Sequence, residues 1–113
     1  DMVSRGLGDV YKRQPLFKVT PIYPRRAQER GIQGYSIVAF TITETGTVED
    51  VVPLEGFCGD PTDPATEYRK CSIFNSAASR AALKLKYKPK IVDGNAVKVY
   101  DVPHKFTFIL EDL

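Results

Sequence analysis

The stretch from residue 35 to residue 54 restricts the fold most, because its pattern predicts a β-hairpin. In YSIVAFTIT, large apolar residues at 38, 40 and 42 alternate with small or polar ones, as in a strand with one buried face. Residues 43–47, TETGT, hold a glycine suited to the positive φ of a tight turn. The strand pattern resumes in VEDVVPL, residues 48–54. These two segments are expected to pair as antiparallel strands, so the chain contains a sheet.

The segment before the hairpin predicts an extended arm followed by a short helix. Residues 15–24 are mostly apolar and contain three prolines, which favour extended geometry in the residues before them. Pro24 suits the first turn of a helix, where a missing N–H costs nothing. RRAQER continues with good helix formers, and Gly31 is a natural C-terminal stop.

The second half of the chain predicts a loop, a helix and a long strand. Two Asp-Pro steps and two glycines mark residues 55–72 as a loop. Residues 74–85 then carry apolar side chains at helical spacing, with Ser72 as a candidate cap and Pro89 as the stop. After an Asp93-Gly94 turn, apolar residues alternate from about residue 96 to residue 110. Pro103 lies within this strand and cannot donate to a ladder, which predicts an edge strand or a bulge.

This order of elements predicts an α+β fold. We expect a small antiparallel three-stranded sheet with helices packed on one face, in the order α-β-β-α-β. Residues 15–113 form the predicted domain. Residues 1–14, DMVSRGLGDVYKRQ, show no periodicity that continues into this domain, and we interpret them as a non-native or disordered segment.

Charge and hydropathy exclude several classes of protein. The 16 basic and 14 acidic residues give a formal net charge of +2, far from the strongly basic balance of a dedicated nucleic-acid binder. No run approaches the roughly 20 apolar residues of a membrane span, and no signal peptide is recognisable. His104, the one histidine, has no Ser, Cys or acidic partner at a catalytic spacing, so we expect a structural histidine and no enzyme activity.

Four motifs in order resemble the TonB C-terminal domain family. They are YP..A...GI.G at 23–34, F.I...G.V.DV at 40–51, A...A...KYKP at 78–89 and F.F.L at 106–110. The resemblance covers about residues 15–112. The chain departs from the family in having Leu85 where many members carry tryptophan, and in a longer loop between its two cysteines.

The resemblance implies a periplasmic domain of an energy transducer. Members are anchored to the inner membrane by an N-terminal segment and couple proton-driven motor proteins there to outer-membrane receptors that import siderophores and similar ligands. The C-terminal domain binds the receptor's TonB-box peptide, which adds as a strand to the last strand. Related domains are also appended to membrane peptidases or sensors, and that interaction role is the alternative. The resemblance implies no cofactor and no nucleic acid, and an open edge makes a homodimer plausible.

The implied peptide-binding residues lie on the last strand and the arm. An exposed edge offers unpaired N–H and C=O groups to an extended peptide, and the arm is placed beside that peptide by the resemblance. The candidates are Ile22, Tyr23, Val97, Lys98, Val99, Tyr100, Asp101, Val102, His104 and Lys105.

Two further groups of residues have competing interpretations. In an oxidising periplasm Cys58 and Cys71 are expected to form a disulfide, with two buried thiols as the alternative. A metal site would need more ligands than these. The basic residues from Arg80 to Lys90 form either a solvated face near a helix C-terminus or an attraction site for acidic receptor segments, peptidoglycan or nucleic acid.

Overall fold

The computed structural model describes residues 13–111 and confirms the α+β class. The elements in chain order are α1 Arg25–Glu29, β1 Gly34–Ile42, β2 Val48–Cys58, β3 Arg69–Lys70, α2 Asn75–Ala82, β4 Lys90–Val92, β5 Asn95–Val97 and β6 Val99–Phe108. Residues 1–12 of the segment interpreted as non-native or disordered lie outside this description, whereas its last two residues, Arg13 and Gln14, are described and contact the domain. None of the helices within residues 13–111 has the length and apolar character needed to cross a bilayer.

The main sheet has the strand order β3-β2-β1-β6 and is antiparallel throughout. β1 and β2 form the predicted hairpin, with Gly46 at φ 87° in its turn. The sheet has four strands where the sequence predicts three. The fourth, β3, is only two residues long and pairs with the end of β2 because the Cys58–Cys71 disulfide holds the loop there.

The predicted long last strand is two separate elements. β5 pairs with β4 in a two-stranded sheet of its own, joined by the Asp93-Gly94 turn in which both residues have positive φ. β6 begins at Val99 and pairs with β1. The sequence pattern merges the two because only Lys98 lies between them. The inward-facing phase changes from Val97 and Val99 to Val102 and Phe106 at the bulge near Asp101.

The second helix is also shorter than its sequence pattern indicates. α2 ends at Ala82, and Leu83 is its C-cap. Leu85 and Tyr87 are nevertheless buried, because they alternate inward along an extended segment in which the Tyr87 N–H donates to the carbonyl of Gly46. The alanines of α2 pack against the sheet, as predicted. Pro24 lies at the N-cap of α1, one residue before the first turn in which it was predicted, and Phe74 rather than Ser72 is the N-cap of α2.

An aromatic cluster fixes the arm, α2 and β6 against one another. Phe74 and Phe108 stack with ring centroids 4.4 Å apart, and Tyr23 meets both rings edge-on. Gly34 lies under this cluster, where an added Cβ would overlap the carbonyl oxygen of Phe57 and touch the Phe74 ring. The cluster therefore requires glycine at that point of β1.

Candidate functional site

The outer edge of β6 is one open flank of the main sheet; on the other flank, β3 covers only Phe57 and Cys58 of β2. β1 pairs with one side of β6, and no other strand formed by residues 13–111 pairs with the opposite side. Pro103 lies opposite Ala39 within this strand, which confirms the edge position predicted from the proline. An unpaired strand edge is a template for another extended chain.

A groove with a volume of about 720 Å³ runs between this edge and the extended arm. Residues 14–21 of the arm form the far wall, and residues near the end of β6 form the near wall. The arm is held in place by the Leu16 N–H, which donates to the carbonyl of Lys86 at 2.7 Å. The guanidinium of Arg13 also donates to the carbonyl of Lys88 at 3.3 Å. The groove is thus bounded by a strand edge on one side and an independently anchored segment on the other.

The predicted site residues on β6 fall into two groups. His104 and Lys105 line the groove beside the arm. Val99, Tyr100, Asp101 and Val102 lie nearer the start of β6, where a bulge with Asp101 at φ 55° shifts the register against β1. Tyr100 is exposed and Val102 is buried in the core.

Val97 and Lys98 precede β6. Val97 belongs to β5, and the Lys98 ammonium pairs with Glu49 of β2 at 2.8 Å. The hydrogen bond and charge of Glu49 raise the pKa of Lys98. Lys98 thus forms an ion pair between the residue joining β5 to β6 and the main sheet.

Ile22 and Tyr23 do not line the β6 groove, although the Tyr23 ring contacts Phe108 at the end of β6. Both line a second groove, between the arm and α2. The Tyr23 hydroxyl donates to the carbonyl of Ile32 at 2.5 Å, and burial raises its pKa. The structure therefore brings His104 and Lys105 together with the arm, but separates them from Ile22 and Tyr23.

The groove also has an apolar lining that no sequence pattern indicates. Phe17 and Val19 contribute from the arm, Phe106 and Ile109 from β6 and its end, and Leu85 from the segment after α2. The proline spacing predicts that the arm is extended. The contacts of the arm depend on the backbone hydrogen bond from Leu16 to Lys86, which no local sequence pattern encodes.

His104 is half-buried in this groove, and burial lowers its pKa below the ordinary 6.5. Its ring contacts Phe106 with centroids 4.7 Å apart. The charged residues that line the same groove are Lys18, Lys105 and Glu111. An imidazole with these surroundings is favoured in its neutral form.

We expect His104 to lower the free energy of unfolding at acidic pH. The folded protein binds fewer protons at His104 than the unfolded chain, so the free energy of unfolding falls as pH drops from above 6.5 towards the lowered pKa. Urea unfolding of the native protein and of His104→Gln at about pH 7.5 and pH 5 measures the effect, since carboxylates titrate equally in both. The native protein should lose more stability than the variant; parallel losses would contradict the prediction.

Comparison with known proteins gives a consistent set of similarities. The family model described as Gram-negative bacterial TonB protein C-terminal matches residues 19–56. Protein TonB of Pseudomonas aeruginosa is 32% identical over 84 residues, which are 74% of this chain and only 21% of that protein's length. The solution NMR structure of the Pseudomonas aeruginosa TonB CTD is 31% identical, covers 88% of both chains and has a TM-score of 0.61. The TonB2 protein of Vibrio anguillarum is 30% identical, with a TM-score of 0.55 over 88% of this chain and 82% of its own.

Proposed function

Since the chain belongs to the TonB C-terminal domain family, we propose that it is the periplasmic peptide-binding domain of a TonB-like energy transducer. The domain binds the TonB-box peptide of an outer-membrane receptor by strand addition and catalyses no reaction. The chain spans 21% of the length of the Pseudomonas relative. Coupling to an inner-membrane proton motor is therefore a property proposed for the whole protein, and peptide capture is proposed for this domain.

The observation that carries this proposal is the open edge of β6 facing a groove. In an antiparallel ladder, alternate residues direct both backbone groups to the same neighbour. Pro103 has no N–H to donate to β1. It therefore occupies one of the alternate positions whose backbone groups point away from β1. Lys105 and Thr107 share that phase and present the N–H groups that an incoming peptide would meet.

The arm supplies the side-chain recognition that a bare edge lacks. Backbone pairing is tolerant of sequence, and pockets for alternate side chains provide specificity. Phe17, Val19 and Phe106 give the groove apolar surface on both walls. A peptide that pairs with β6 would place every second side chain among them.

Amide chemical shifts test the proposal directly. The isotope-labelled domain is titrated with a synthetic TonB-box peptide, and with a scrambled peptide as the control. We expect the largest shifts at residues 102–108 and along the arm at 14–21. If the peptide changes the amide chemical shifts of neither segment, the proposal is wrong.

Lys105→Pro isolates the backbone contribution to binding. The substitution removes one outward N–H and places a ring at the edge, so peptide affinity should fall by about tenfold. Lys105→Gln is the matched control, because it removes the charge and the cation–π contact with Tyr35 at 4.3 Å but keeps the N–H. Calorimetric titration should show near-native affinity for the glutamine variant. Equal losses in both variants would assign the effect to the side chain.

A further inference from the structure

A second groove, with a volume of about 610 Å³, lies between the arm and the outer face of α2. Two exposed apolar residues border it, Ile22 from the arm at 76% exposure and Leu83 after α2 at 56%. Ala77 and Ala81 form part of the α2 wall, and their small side chains leave the space between helix and arm unfilled. The groove can therefore take apolar side chains from outside.

The charged lining of this groove is entirely cationic within the described part of the chain. Arg25, Arg80 and Lys84 border it, and no Asp or Glu does. Arg80 donates to the Ser76 hydroxyl at 2.9 Å, and this neutral partner leaves its charge uncompensated. Arg25 has an ion pair with Glu29 at 3.4 Å, but both side chains are largely exposed, so the pair is weak.

We propose that this groove binds a short apolar segment of a partner protein that carries carboxylates. The leucine-like side chains of the segment fill the space over Ala77 and Ala81, and its carboxylates meet Arg80 and Lys84. This groove gives a role to Arg80 and Lys84, two of the basic residues from Arg80 to Lys90 whose function the sequence left open. It is distinct from the β6 edge and does not depend on strand addition there.

Charge decides against the other possible occupants. A second copy of the chain would present the same cationic groove, and like charges across a two-fold interface are unfavourable. A polyanion without apolar groups, such as a nucleic acid, would leave Ile22 and Leu83 exposed to water. An acidic apolar segment satisfies both the charges and the apolar surface.

The arm places the two grooves side by side. Thr20 and Pro21 line both of them. A receptor whose peptide pairs with β6 could therefore reach the second groove with an adjacent segment. Binding at two linked sites raises the overall affinity through effective concentration.

The test is a titration of the labelled domain with a short synthetic peptide in which pairs of glutamate and leucine alternate. We expect amide shifts at Ile22, Ala77, Leu83 and Lys84. Two control peptides replace either glutamate by glutamine or leucine by serine, and each should bind about tenfold more weakly. No shifts at these residues, or equal binding of all three peptides, overturns the proposal.

Matched variants separate the groove from general surface properties. Leu83→Ser should weaken peptide binding about tenfold, whereas Val52→Ser, at a comparable 52% exposure on the sheet, should not. Arg80→Gln with Lys84→Gln should weaken binding equally, whereas Lys88→Gln with Lys90→Gln, which changes the same charge outside the groove, should not. Equal effects within either pair contradict a specific site.

Two measurements distinguish this proposal from the one for β6. The TonB-box titration should be unchanged in Leu83→Ser, so either site can fail alone. Concentration-dependent shifts at Ile22 and Leu83 without any peptide would show self-association through the groove and would overturn the assignment to a partner protein.

Discussion

Replacing Phe74 with alanine is expected to lower the free energy of unfolding by about 4 kcal/mol, a large part of the stability of a domain this size. Phe74 is fully buried. Its ring stacks on Phe108 at 4.4 Å and receives the edge of Tyr23 at 5.8 Å. The substitution removes contacts to the arm and to β6 together.

The cavity left by Phe74→Ala has little means of closing. Gly34 passes close beneath the ring and has no side chain that could move in. The neighbouring Phe108 is fixed by the ladder of β6 with β1. The loss of stability rises with the cavity volume that stays empty, so Phe74→Ala lies at the upper end of the range usual for Phe→Ala substitutions.

Urea unfolding followed by circular dichroism measures the Phe74→Ala effect. Phe17→Ala is the matched control, since Phe17 is 51% exposed on the arm and should cost much less. The two variants remove the same atoms from different surroundings. Similar losses in both would show that the aromatic cluster does not hold the fold.

Removing the disulfide is expected to lower the free energy of unfolding by about 3 kcal/mol. Cys58 and Cys71 are 13 residues apart, and the cross-link restricts a loop of that size in the unfolded chain. The variant Cys58→Ser with Cys71→Ser tests this by urea unfolding. The native protein unfolded in the presence of a reductant controls for the serine hydroxyls, because it breaks the link and changes no other group.

Beyond this global effect, local protection should fall most in β3 and the loop before it. β3 pairs with β2 over only two residues, and its neighbour Cys71 donates its N–H to the carbonyl of Gly56. Hydrogen exchange at residues 69–71 should accelerate most on reduction, while the slowest amides of β1 and β6 should accelerate only by the loss of global stability. An unfolding midpoint unaffected by reductant would contradict the prediction.

Local chemistry explains which parts of the fold could be predicted. The hairpin follows from a period of two and a glycine turn, and the short helix α1 follows from Pro24 and Gly31, the latter at φ 68°. α2 was predicted too long because Leu85 suits a helical and an extended spacing equally. β3 was missed because a two-residue strand in a Pro-rich loop exists only through its disulfide partner.

The open edge of the candidate site was predictable, and the second wall of its groove was not. A proline inside an alternating strand points to an edge or a bulge whatever surrounds it, and here the strand is an edge. The course of the arm depends instead on one backbone hydrogen bond to Lys86 and on the position of Tyr23 against two rings. Such long-range contacts leave no periodic trace in the arm itself, so Ile22 and Tyr23 could not be separated from the β6 groove beforehand.

The anchoring of the arm has a mechanical consequence. A pull on the chain at residue 13 meets first the hydrogen bonds to the carbonyls of Lys88 and Lys86, which are spaced along the arm and so break in turn. Peeling is then resisted at Tyr23, whose hydroxyl and ring are both held. Because the peeled segment is the wall shared by both grooves, we expect tension on the arm to widen the cleft on β6 before it reaches the sheet.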